Sequence, residues 1–191
     1  VSSSPGRGFM LATLDYFNWS QDMAEFKSWW SSMVQNDLIL TSGWTESYET
    51  HYSGGYGVWN EGHIGDAHIT VSYCHSPGVE AFYGENWTNS ASLNLAKTSF
   101  FQVEYAAAID GGNFDYAQQF IEYLLSLDVN SKMPTENLMY SVLAGEDLPD
   151  TFGYRHHSLI PDAPSSISGD EIRDNMDTWL EEWNKAVTSG E

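Results

Sequence analysis

The apolar residues at the start of the chain fall into two helical stripes. Phe9, Met10, Leu11, Leu14 and Phe17 recur every three or four positions, and so do Met23, Phe26, Trp29, Trp30 and Met33. Such spacing puts each set on one face of a helix. It predicts a first helix opening at the serines before Pro5 and a second over residues 21–34, stopped by Asn36-Asp37. The pattern then changes. Residues 38–41, 67–73 and 100–109 are short apolar or β-branched runs bounded by turn residues, and they read as strands.

Helical patterns return between these runs. A helix follows Trp44 as far as the Ser53-Gly54-Gly55 break, and residues 56–62 read as a short helix or irregular turn. Ser76-Pro77-Gly78 opens another helix toward Phe82. Asn113 caps a helix over 114–127, whose stripe is Phe114, Ala117, Phe120, Ile121, Leu124 and Leu125. Residues 133–140 form a loop rich in hydrogen-bonding groups, and 148–166 a proline-containing surface segment. Ser168-Gly169-Asp170-Glu171 begins a long terminal helix carrying Ile172, Met176, Trp179, Leu180, Trp183 and Val187 on one face. Strands alternating with helices predict the α/β class, with a mixed or mainly parallel sheet.

Two of the expected strands end in the same way. The first leads into Thr41-Ser42-Gly43-Trp44-Thr45-Glu46-Ser47-Tyr48, and the second ends at Tyr73 just before Ser76-Pro77. Each delivers a large aromatic beside a helix N-terminus, where open α/β sheets place ligands. The plainer alternative is that Trp44 only covers a core. Ser3 and Ser4 stand before Pro5 at a first helical turn. They either cap that helix or, with its free N–H groups, receive an anionic ligand group.

Composition narrows the ligand. The 27 acidic residues outnumber 7 basic ones, giving a net charge of −20, which repels nucleic-acid phosphates and anionic lipid. With 8 Trp, 11 Tyr and 9 Phe, the chain has the rings to stack a neutral or cationic small molecule. The single Cys74 excludes an internal disulfide. Beside His75 alone it makes no metal site. No stretch approaches the roughly 20 apolar residues of a membrane span, and Val1-Ser2-Ser3-Ser4-Pro5 lacks the features of a signal peptide. No nucleophile elbow or phosphate loop speaks for an enzyme, and a Ser/His hydrolase is the minor alternative.

Several pieces, in order along the chain, resemble the thiamine-binding periplasmic proteins, the solute receptors of ABC-type thiamine importers. They are Ser3-Ser4-Pro5-Gly6, Gly43-Trp44-Thr45-Glu46-Ser47-Tyr48, Val71-Ser72-Tyr73 with Ser76-Pro77, and Gln102-Val103-Glu104 with Ala106-Ala107. Ala117-Gln118-Gln119-Phe120-Ile121, Pro134-Thr135-Glu136-Asn137-Leu138-Met139-Tyr140, Leu148-Pro149 and the terminal Trp helix follow. The resemblance implies an α/β, periplasmic-binding-protein-like (type II) second lobe, a mixed sheet flanked by helices, with the first lobe largely absent. Residues 1–100 and 143–191 would form that lobe, and 101–142 would return toward the missing one, leaving apolar surface for it or another chain to cover.

The same resemblance implies a solute receptor outside the cytoplasm, a membrane permease as partner, and thiamine or a thiamine phosphate as transported ligand without any cofactor. Ser3 and Ser4, with Gly6, would hold the hydroxyethyl or phosphate end, and Trp44 and Tyr73 would stack on the rings. Asn137 and Tyr140 complete the expected ligand-binding set. Two positions depart from the family pattern. Leu138 stands where a Trp is usual, and Val79 where a Tyr often follows the Ser-Pro turn, so stacking surface is lost at both. A relative that takes a sugar, polyamine or metal complex is the alternative that these departures favour.

Overall fold

In the computed structural model, residues 1–53, 65–93, 95–143, 145 and 147–188 are described. The two N-terminal stripes become α1 (Ser4–Tyr16) and α2 (Ala24–Gln35). The terminal stripe becomes α7 (Gly169–Thr188), the longest helix. Its start is a reciprocal cap. The Ser168 N–H donates to Glu171 Oε2 at 2.8 Å, and the Glu171 N–H donates to Ser168 Oγ at 3.2 Å.

These three helices bury their apolar faces in one cluster of Met10, Leu11, Leu14, Phe26, Trp30, Trp179, Trp183, Ala186 and Val187. The Trp30 and Trp183 rings meet edge to face at 5.6 Å, and Trp19 meets Trp179 the same way at 4.8 Å. The Trp30 indole N–H is satisfied by Thr13 Oγ1 at 3.2 Å. At the end of α1, the buried Asp15 carboxylate accepts from Lys97 Nζ at 2.7 Å and from the Ser166 N–H at 2.6 Å. Burial opposes the charge, yet the Lys97 ammonium and the Ser165 and Ser166 donors outweigh it and hold this carboxyl below the ordinary range.

A second, smaller cluster of Val79, Leu148 and Tyr154 joins α3 (Ser76–Tyr83) to the short α6 (Tyr154–His157). Residues 148–166, expected to lie on the surface, thus send one fully buried ring inward, and the Tyr154 hydroxyl donates to the Pro134 carbonyl at 2.7 Å. Gly78 makes this approach possible. A Cβ there would collide with Ser158 Oγ and the Tyr154 carbonyl oxygen.

The expected sheet is not there. Among the described residues no strand is formed, so the mixed sheet flanked by helices must be corrected. Residues 38–41, 67–73 and 100–109 run without a ladder partner, and Ile69 and Tyr105 are 78% and 90% exposed. Their β-rich composition is real, but a strand needs a ladder with another segment's N–H and C=O groups, and among the described residues none forms. Residues 100–109 were expected to be mostly buried and are mostly exposed. Likewise α4 (Phe114–Leu124), capped by Asn113 as expected, buries none of its residues, and α5 (Leu127–Asn130) follows it as a separate turn. The expected turn at 56–62 lies outside the described residues.

Replacing Gly78 by Ala is expected to force α3 and α6 apart and destabilise the chain by about 1–3 kcal/mol. Denaturant unfolding of Gly78→Ala measures this, and an unchanged midpoint would show that the contact yields freely.

Candidate functional site

The turn after residues 38–41 tightens into helical geometry at Trp44 and continues as a π-helical segment, Glu46–Tyr52. The Glu46 carboxylate holds its start, accepting from the Ser42 N–H at 2.8 Å and from Ser42 Oγ at 2.6 Å. Those donors keep the exposed Glu46 carboxyl below its ordinary range. Positions four apart share a face of such a turn. Trp44 and Tyr48 therefore stack at 5.0 Å with only 14° between their planes, and Tyr52 follows Tyr48 at 5.3 Å.

The stretch 71–75 runs past this stack and extends it sideways. Tyr73 lies 6.1 Å from Trp44, His75 lies 5.8 Å from Tyr73, and Tyr140 meets His75 edge to face at 5.0 Å. The result is one aromatic row, Trp44–Tyr73–His75–Tyr140, backed by Tyr48 and Tyr52. Tyr73 and Tyr140 are each 37% exposed, while Tyr48 behind them is 2% exposed. Burial raises the phenol pKa of Tyr48, Tyr73 and Tyr140, so all three are protonated donors at neutral pH.

Polar contacts fix the rings from behind. The Trp44 indole N–H donates to Ser72 Oγ at 2.9 Å, and Ser72 and Ser76 share a hydrogen bond of 2.7 Å. The Tyr48 hydroxyl donates to the Glu80 carboxylate, which also accepts from Thr88 Oγ1 at 2.7 Å and Ser90 Oγ at 2.8 Å. Tyr52 donates to Ser90 Oγ at 2.8 Å. His75 Nε2 lies 2.6 Å from the Leu138 carbonyl, which assigns that nitrogen as the donor and ties α3 to the 133–140 loop. Burial lowers the His75 pKa more than this bond raises it, so the ring is neutral.

Of the residues expected to bind ligand, Trp44, Tyr73 and Tyr140 are brought together. Ser3 is the N-cap of α1, accepting from the Gly6 N–H at 3.4 Å, and Ser4 is the first helical residue. Just before α1, Ser2 Oγ donates to the carbonyl of Ser42, in the turn that leads into Trp44, at 3.1 Å. Asn137 is exposed at the end of the Met133–Asn137 turn, and no hydrogen bond joins it to the row. Val79 packs in the small core and offers the row no surface. The sequence reading set His75 aside and passed over Glu80. The recurrence Trp44, Tyr48, Tyr52 at intervals of four was the legible signal for the stack. An open groove of about 480 Å³ lies elsewhere, between Phe17 at the end of α1 and Ala24, Glu25, Ser28, Trp29 and Ser32 of α2.

Against known proteins, the chain is 26% identical over 188 residues to the thiamine-binding periplasmic protein of Escherichia coli. It is 25% identical over 189 residues to that of Salmonella typhimurium, and 22% identical over 187 to that of Haemophilus influenzae. Each match takes in 98% of this chain and 51% of the relative. The chain is related to the thiamine-binding periplasmic proteins. It spans about half the length of these curated relatives. No family model and no solved structure matches it. Among the described residues no helix is long and apolar enough to cross a membrane.

His75 gives the site a pH signature. Unfolding frees its ring to take a proton near the ordinary value of 6.5, while the folded site resists it. Stability is therefore complete above about pH 6.5 and falls toward pH 5, by no more than about 1.4 kcal/mol per pH unit. Unfolding of wild type and His75→Gln, compared at pH 7.5 and 5, should show the loss only in wild type. Parallel losses in both would place the pH dependence elsewhere.

Proposed function

We propose that this chain is part of a solute-binding receptor that captures thiamine or a thiamine phosphate outside the cytoplasm and delivers it to an ABC-type permease. The role is binding without catalysis. The observation that carries the reading is the aromatic row Trp44–Tyr73–His75–Tyr140, in which Tyr73 and Tyr140 reach solvent, Trp44 is half-buried and His75 is buried. A thiazolium or aminopyrimidine ring suits such faces, each cation–π contact contributing roughly 0.5–2 kcal/mol. The names of the three relatives, all thiamine-binding periplasmic proteins, support the same ligand.

In this reading Trp44, Tyr73 and Tyr140 stack on the ligand rings. Ser3, Ser4 and Gly6 present the α1 N-terminus to its hydroxyethyl or phosphate end, where the helix dipole favours negative charge. Asn137 would have to turn inward from its exposed position to join them. The row is a single wall, whereas small-molecule sites cover 70–90% of a ligand. Further polypeptide, from a longer chain or from another protein, completes the cleft. The exposed apolar side chains of 101–127, among them Phe101, Tyr105, Phe114 and Phe120, are the surface it covers.

Thiamine titrated into the 191-residue chain, followed by tryptophan fluorescence and calorimetry, should bind weakly, with Kd in about the millimolar range. Trp44→Ala should weaken it about two- to thirtyfold, the loss of one stacking contact. Quenching that does not saturate, or that is unchanged in Trp44→Ala, removes this row as the binding site. Tight binding by the chain alone would show that it needs no second wall.

A further inference from the structure

The most unusual charge in the molecule sits directly behind the aromatic row. Glu80 is 3% exposed, lies in the middle of α3, and has no cationic partner among the described residues. Among the described residues, every hydrogen bond to its carboxylate comes from a neutral hydroxyl: Tyr48 and Ser90 on Oε1, Thr88 on Oε2. A buried carboxylate without a counter-charge is costly, and three donors offset only part of that cost. The Asp15 carboxylate, also buried, shows the ordinary solution, a direct ion pair with Lys97 at 2.7 Å.

The geometry points to Glu80 as the residue that makes this aromatic site prefer a cationic ring over a neutral one, acting through Tyr48. This rests on the row being the ligand site. The Tyr48 phenol donates into the carboxylate, and a hydrogen bond to an anion pushes electron density back into the donor ring. That ring stacks at 14° on Trp44, so the carboxylate and the enriched ring act together on a cation stacked at Trp44. Tyr52 leans on the same carboxylate through Ser90. The carboxylate itself is shielded from solvent, so salt weakens its field far less than that of the 27 acidic residues taken as a whole.

A positioning role alone would alter all ligands alike, so the test compares charge at constant shape. The probes are 1-methylquinolinium, a permanent cation, and 4-methylquinoline, neutral at pH 8. Each is titrated into the full chain by fluorescence and NMR in about 0.15 M salt, where diffuse surface charge is screened. Wild type should favour the cation. Glu80→Gln should cut the ratio of the two affinities about three- to tenfold while binding of 4-methylquinoline stays within about twofold. Tyr48→Phe keeps the buried charge but unhooks it from the ring, and it should reduce the same ratio. It also carries the test if Glu80→Gln does not fold.

An unchanged ratio in the folded variants overturns the role of Glu80 and leaves the binding site standing, provided that both probes still depend on Trp44. An equal loss for both probes overturns it too, since that is the mark of a structural role. Binding indifferent to Trp44→Ala overturns the site and this inference together.

Discussion

The edge-to-face contact of Trp30 with Trp183 joins the two ends of the chain, and the main core is built around it. Trp30 comes from α2 and Trp183 from α7, more than 150 positions apart, and Met10, Leu14 and Phe26 close over them. Aromatic pairs of this kind contribute about 0.5–1.5 kcal/mol beyond the area they bury. Lys27 with Glu182, at 2.8 Å, and Ser31 donating to the Ala186 carbonyl, at 2.8 Å, pin the same two helices at their rims. Because α1 is held in this cluster, its N-terminal serines have a set position, from which Ser2 reaches the turn that carries Trp44.

The second centre is organised by hydrogen bonds more than by apolar area. Val79, Leu148 and Tyr154 make a small core, and the aromatic row beside it is aligned by Ser72, Ser76, Thr88, Ser90 and the Leu138 carbonyl. Hydroxyl and indole donors with a defined partner hold each ring at one angle, which apolar packing alone does less sharply. A receptor surface gains from this, since rings already in place need little ordering when a ligand arrives. Asp15 and Glu80 mark the contrast between the two centres. One buried carboxylate is neutralised by Lys97 and ties loops to α1, and the other, among the described residues, meets hydroxyls only and lies behind the rings.

Residues 101–137 belong to neither core among the described residues. Their apolar side chains, Phe101, Val103, Tyr105 and Ile109 followed by Phe114, Phe120 and Tyr123, are exposed as a contiguous stretch of chain. In the proposed receptor this is the surface that further polypeptide covers. The helix α4 still forms there because its cap and its i→i+4 bonds are internal. The neighbouring 100–109 run has β-forming residues and no ladder.

That contrast separates what the sequence determined from what the tertiary structure decided. Periodicity located α1, α2, α4 and α7, and Ser168-Gly169-Asp170-Glu171 foretold the cap of α7, because a helix draws its hydrogen bonds and caps from residues three or four positions away. Trp44 and Tyr73 were legible as neighbours of helix-opening turns for a related reason, and the fold brings both into the aromatic row. The sheet was misjudged at 38–41, 67–73 and 100–109 because a strand depends on a distant partner that no local pattern reveals. The fate of Glu80 was equally hidden. Only when α3 is laid behind the Glu46–Tyr52 turn do Tyr48, Thr88 and Ser90 converge on its carboxylate, and an acidic residue that reads as surface becomes a buried charge behind a row of rings.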